Sequence, residues 1–405
     1  MSTLKATYLQ QASSASPNIT LDAFGNALVN NATLSPTGSS TNTGNIALTG
    51  TVAMGSSFKR NRIINGDMRV DQRNAGASGN LAAATIYTVD RWATYASQAS
   101  KATFQQNAGS VATPTGFSNY IGITVGASAN VSLAAGDIFQ LYQVIEGYNI
   151  ADFDWGKATA KNVTISFWVR SSLTGTFSGS IYMSGVSSYV FEYSISQANT
   201  WEYKTVSITA NTSYSPSSTT TGSGCVVSFD LGAGSTYTGS AGSWTGSIKT
   251  KSTSSVSVIT TNSATFYITG VQLEVGSVAT PYERQIYSDQ LAQCQRYYYR
   301  QTPAATTALY GQGLNDSTTA ANGFVAFPVP MRTAPTALEQ SGTATHYRVQ
   351  ITGNVINCSA VPTFNSADTW FSSVVFTVAS GLTAGQASLI RAGSTSGYLG
   401  WSAEL

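Results

Sequence analysis

The sequence predicts an all-β protein: a core-poor N-terminal segment, a central jelly-roll β-sandwich, one short bridging helix and a C-terminal β-sandwich. Three observations carry that expectation. Charged residues make up only 9% of the chain, against the roughly 25% of an ordinary soluble protein. Serine and threonine fill roughly a quarter of it, beside 37 glycines and 21 tyrosines, a mixture that favours strands and turns over helices. Period-two alternation of apolar and polar residues recurs from residue 59 onward, whereas a helical period shows in a single stretch. The 405 residues suffice for two or three domains at about 150 residues each.

Residues 1–58 offer little to build a core from. Leu4, Tyr8, Ile19, Leu21, Phe24, Leu28 and Val29 are followed by the polar run TLSPTGSSTNTGN, and such a segment does not fold alone. Its brief strand signals, NITLDAFGNALV and NIALTGTV, are expected to be completed by other copies of the chain. Residues 59–285 read as the jelly roll. In KNVTISFWVRSS, Val163, Ile165, Phe167 and Val169 share one face, and Thr164, Ser166, Trp168 and Arg170 the other. Val227, Phe229 and Leu231 repeat the pattern, as do Phe191, Tyr193 and Ile195, then Val271, Leu273 and Val275. SSVSVITTNS and NTSYSPSSTTTGSG are expected to be connecting loops. Residues 286–300 hold the helix, with Ser288 as its N-cap and Leu291, Cys294 and Tyr298 on one apolar stripe. Residues 301–405 supply FVAFPVPMRTAPT, HYRVQITG, SSVVFTVAS and GYLGWSAEL, enough for a second small sandwich.

Charge and motifs exclude much. With 20 basic and 18 acidic residues and a net charge of +2, no field exists to hold a polyanion, so no nucleic-acid partner is expected. No apolar run reaches the ~18 residues of a membrane span, and MSTLKATYLQQASSASPN has no apolar leader, so neither membrane insertion nor Sec export is expected. Cys225, Cys294 and Cys358 are an odd count matching no zinc or redox spacing and are read as reduced and buried, Cys294 as core. A lone histidine, His346, excludes histidine clusters and is assigned no chemistry; its register places it toward solvent or a subunit boundary. GxSxG, GxxxxGK[ST] and HExxH are all missing, which argues against a nucleotide-dependent enzyme.

Three groups of residues invite a functional reading. RIINGDMRVDQR and YTVDRW interleave Asp67, Asp71 and Asp90 with Arg62, Arg69, Arg73 and Arg91. In a charge-poor chain such clusters satisfy one another as structural ion pairs; the rival is a calcium or catalytic site. Asp152 and Asp154, two apart in ADFDWG, would point the same way in a strand, as a hard cation or an acid/base pair requires, although a solvated loop is the favoured reading. Sugar rings stack on exposed aromatic faces, and Tyr182, Tyr189 and Tyr237, set in Gly/Ser-rich segments, are the aromatics expected to be exposed for a glycan.

Longer words in the chain carry a resemblance. FKRNRIINGDMRVDQRNAG, YTVDRWATY, YNIADFDWGKATAKNVTISFWVRSS, NTWEYKTVSI and ATFYITGVQLEVGSVATPYERQIYSDQLAQCQRYYYR, in this order, resemble bacteriophage tail-fibre and related virion proteins with a galactose-binding-like jelly roll. The pattern covers residues 59–300, and GVQLEVGSVATPYER with CQRYYYR is its most specific part. FPVPMRTAPT and the opening STLKATYLQQASSASPNITLDAFGNAL are similar to parts of the same proteins. The resemblance implies that the arginine-carboxylate words open the jelly roll and that a structural calcium is the one cofactor to look for. It further implies a homotrimer, made in the host cytoplasm, attached through its N-terminus to other virion proteins and meeting a host-surface glycan without enzymatic activity. Weak single contacts would be multiplied by avidity. The alternatives are a purely structural component (a capsid decoration, head fibre, collar or baseplate protein) and a polysaccharide depolymerase using Asp152 and Asp154. The chain shows none of the repeated period of a β-helix tailspike.

Overall fold

A computed structural model describes residues 59–183 and 185–405, together with three short strands nearer the N-terminus. The chain divides into two units, Met1–Gly55 and Ser56–Leu405. In the first, Tyr8–Leu9, Ile19–Leu21 and Ala27–Val29 form an antiparallel sheet in that order. The anchoring and trimerisation expected of residues 1–58 otherwise lie outside the described residues.

Over its described residues the second unit is all-β with one α-helix and has two large hydrophobic cores beside a small cluster of Ala108, Tyr120 and Tyr267. The larger fills the space between two antiparallel sheets. One sheet has six strands in the order Glu202–Ile208, Val163–Ser171, Thr265–Val275, Ile121–Val125, Ala102–Gln106, Gly79–Asn80. The other has seven: Trp244–Thr245, Ser187–Ile195, Gly175–Met183, Ser223–Ala233, Ile138–Glu146, Trp92–Ala96, Thr85–Val89. Alternation sets which face is core: Val163, Ile165, Phe167 and Val169 are all fully buried, as are Val227, Phe229 and Leu231. Phe167 packs edge-on against Phe229 and Tyr193, each at 4.9 Å between centroids, an arrangement favoured by the ring quadrupoles. SSVSVITTNS, expected as a polar loop, contains the short 3-10 helix Val258–Thr260, whose Val258 and Ile259 complete this core. Two adjacent β-branched apolar residues in a polar run are better buried than solvated.

The smaller core lies between a seven-stranded and a three-stranded sheet. The larger runs Asn354–Asn357, Tyr347–Ile351, Ala387–Ala392, Leu309–Asn315, Ala320–Ala326, Phe371–Thr377, Thr363–Ala367. The other runs Tyr298–Gln301, Leu399–Ser402, Glu339–Gln340. Trp401 is fully buried here, stacked on Tyr299 at 6.0 Å.

The helix is shorter than expected, Tyr287–Gln295. Its N-cap is Ile286 without a side-chain bond, so Ser288 caps nothing. Cys294 is buried, but Tyr298 belongs to the strand paired with Leu399–Ser402. Three consecutive tyrosines favour a strand, and a partner edge is available to them. The three cysteines are free and buried, and burial pushes the Cys225 and Cys358 thiols up to about 12, far from nucleophilic.

Charged groups join the helix and second core to the jelly roll. Glu404 receives Arg73 at 3.3 Å and also Arg91, which is 2% exposed. Arg91 lies 3.6 Å from the Tyr297 ring centroid, and Tyr297 donates its hydroxyl to Glu146 at 2.6 Å, the carboxylate that also holds Arg296. Arg332 donates to the Ala403 and Glu404 carbonyls at 2.7 Å and to Thr221 O at 2.8 Å. Removing one partner from such a buried network leaves the others uncompensated.

Candidate functional site

The outward face of the six-stranded sheet carries a cleft. Trp168, in the outward register of its strand, stands between Tyr203 on one neighbouring strand and Thr269 on the other. Its ring lies 5.5 Å from that of Tyr203, which is 43% exposed. Thr205 follows beside Ser166 in the next register row. On the third strand the register slips opposite Phe167, so Gly270 and Val271 form a bulge. Gly270 has φ +63°, and a Cβ there would meet Phe117 at 2.7 Å and Trp168 at 3.3 Å. Only glycine lets these rings approach over the bulge.

The segment after this strand folds back over the sheet and makes the second wall. Glu274, 2% exposed, accepts the Thr280 amide at 2.8 Å and the Thr280 hydroxyl at 2.7 Å, while Gln272 accepts the Glu283 amide at 2.7 Å. These bonds hold Val278, Pro281, Tyr282 and Arg284 along the cleft. Phe117 meets Tyr282 edge-on at 5.2 Å, and the Arg284 guanidinium lies 4.7 Å from the Phe117 centroid. The cleft measures about 610 Å³, within the ~300–1,000 Å³ of ligand sites. It offers aromatic faces, threonine hydroxyls and a guanidinium, with no carboxylate in its lining. A smaller pocket of about 270 Å³ includes Arg62 and Arg296 in its lining, but both are already paired, with Asp152 and Glu146.

The residues picked out in the sequence lie elsewhere. Tyr189 is only 5% exposed, beneath Trp244 at 5.5 Å, and cannot stack on a sugar. Tyr182 is half-buried on the opposite sheet, its hydroxyl accepting from Gln140 at 3.2 Å; desolvation pushes its pKa well up. Tyr237 is half-buried in the turn Ser235–Tyr237. Small residues around these tyrosines allow close packing, so Gly/Ser-rich surroundings did not mean exposure. Trp168, which lies in the cleft, is visible in the sequence as the one large ring in the polar register of its strand.

The arginine-carboxylate words give a mixed outcome. Arg69 pairs with Asp67 at 2.6 Å, and Arg62 with Asp152 at 2.6 Å. Asp71 instead accepts the Asn74 and Gly76 amides at 3.0 and 2.8 Å, and burial raises its pKa. Asp90 accepts the Gln72 amide at 2.9 Å, and desolvation pushes it up to about 6. Asp152 and Asp154 do not share a strand face. Asp152 sits in the 3-10 turn Ala151–Phe153 and Asp154, left-handed at φ 54°, ends it; Asp154 pairs with Lys157 at 2.8 Å. The two carboxylates thus share neither a strand face nor a partner. Among the described residues, no group of three or more His, Cys, Asp and Glu is placed to hold a metal, and no helix is long and apolar enough to cross a membrane.

No protein-family model and no curated protein matches the chain. Among solved structures, the enzymatically active domain of tailspike protein 4 from bacteriophage CBA120 matches with TM-score 0.29 and 13% identity, over 54% of this chain and 22% of that one. The Family 11 carbohydrate-binding module from Clostridium thermocellum, in complex with a β-1,3-1,4-mixed-linked tetrasaccharide, matches with TM-score 0.22 and 13% identity, over 50% and 98% of the two chains. The N-terminal tandem CBM22 domain of Paenibacillus barcinonensis Xyn10C matches with TM-score 0.25 and 8% identity, over 81% and 97%. The matched region thus spans about a fifth of the tailspike chain, and at these identities and TM-scores none of the three assigns a role to this chain.

Proposed function

We propose that the chain is a non-enzymatic virion appendage protein of the tail-fibre type, whose jelly roll holds a host-surface glycan across the Trp168 and Tyr203 rings. One observation carries the reading: two adjacent rings, one of them 43% exposed, are fixed at the floor of a walled cleft instead of being turned into the core. A sugar's apolar face would stack there, with the exposed Thr205 placed for one of its hydroxyls. The cleft lining holds no acid/base pair, which supports binding over hydrolysis. The setting on a virion, with residues 1–58 as the trimerising and virion-binding part, rests on the resemblance of the long words in the sequence to those of tail-fibre proteins. Three copies would multiply a weak contact by avidity.

The test is retention of the full chain on immobilised bacterial surface polysaccharides, with the supernatant assayed for new reducing ends. Wild-type protein is expected to be retained by at least one polysaccharide without releasing reducing ends. Trp168→Ala, folded by circular dichroism, is expected to lose about 1–3 kcal/mol of affinity, the range for a stacked ring. Equal retention of the variant would refute the assignment of the cleft, and reducing ends would favour a depolymerase.

A further inference from the structure

We infer that the cleft selects acidic glycans, with Arg284 as the group that reads their charge; this rests on the glycan-binding reading above and adds a ligand class to it. Among the described residues Arg284 has no anionic partner of its own: it makes no ion pair, and no hydrogen bond is found for its guanidinium. The acids around it are committed elsewhere. Asp67, which lines a small pocket together with Arg284, is held by Arg69 and by the Gln290 amide at 2.8 Å, and the neighbouring Glu283 accepts the Asn61 amide at 2.8 Å. Arg284 is exposed, so its guanidinium, unpaired at the wall of an aromatic cleft, is open to an anion carried by a ligand.

Its position is also constrained. The guanidinium lies against two rings, 4.7 Å from the Phe117 centroid and 5.8 Å from that of Tyr282. Beneath it Gly116 has φ +84°, and a Cβ at that residue would come within 2.7 Å of Arg284 Nη2. The glycine therefore leaves the space that the guanidinium occupies. Its N–H groups, without a partner among the described residues, are those that bind a carboxylate, sulfate or phosphate in a fork. A sugar lying on Trp168 would present an anionic substituent toward Arg284, which shares the same cleft.

The experiment measures binding of the full chain to three sets of oligosaccharides: hexuronic-acid oligomers, the same oligomers with their carboxyl groups reduced, and sulfated or phosphorylated neutral oligomers. The acidic sets are expected to bind about 10- to 100-fold more tightly than the reduced set, the range that one hydrogen bond to a charged group is worth. Raising NaCl from about 0.05 to about 0.5 M should weaken acidic binding only. Arg284→Gln should bring the affinity for the acidic sets down to that for the reduced set measured with the same variant, and Arg284→Lys should retain part of the preference. The carboxylate and ester arms identify which anion is preferred. Trp168-dependent binding without preference for the acidic sets, or a preference unchanged in Arg284→Gln, would overturn the inference and leave the glycan reading standing. Failure of every set to bind would overturn both.

Discussion

Asp230 and Lys251 lie inside the jelly roll, 1% and 7% exposed. Burial pushes the Asp230 carboxyl up to about 7, with the Lys251 ammonium and the Gly232 amide opposing the rise. Asp90 is raised in the same direction, to about 6. A carboxyl whose pKa is higher in the folded than in the unfolded chain binds its proton more tightly when folded. Its contribution therefore grows as pH falls from about 7.5 toward 5, by at most about 1.4 kcal/mol per pH unit. The melting temperature should carry this slope, and Asp230→Asn should flatten it; an unchanged slope in the variant would show that the group does not titrate as its burial requires. Individual side chains were unevenly legible in the sequence. Phe167, Phe229 and the cysteines were placed correctly because alternation and composition speak directly to burial. Tyr189 was misplaced because its cover, Trp244, comes from a strand 55 residues further on.

At the scale of elements, period two identified the strands that matter, Val163–Ser171 and Thr265–Val275. The bulge at Gly270 is harder to see, because it shows only as a one-residue change of phase inside a single strand. That bulge explains why Phe266 and Ile268 alternate in one phase and Val271 and Leu273 in the other while all four are fully buried. The wall of the cleft was likewise hidden. Glu274 reads in sequence as an outward-facing acid, and only the returning chain, with Thr280 bonded to its carboxylate, turns it inward. The segment GVQLEVGSVATPYER is thus one device: bulge, pinning carboxylate, wall and guanidinium in 15 consecutive positions.

Across the whole molecule, two sandwich cores are locked by pairs far apart in sequence, of which Arg91 with Glu404 is separated by 313 residues. Nothing local announces such a pair, so the sequence indicated two sandwiches but not their union within Ser56–Leu405. The N-terminal 58 residues carry the expectation of assembly. Light scattering should give three times the chain mass for the full protein and one chain mass for a form starting at Ser57, and an unchanged subunit number on truncation would place assembly elsewhere. The central claim is that the outer face of the six-stranded sheet is where a glycan sits. Its most direct test is a crystal structure of the full chain with an oligosaccharide that it retains. A sugar ring stacked over Trp168 and Tyr203 is the predicted result, and a sugar bound on another face, with the cleft empty, would contradict it.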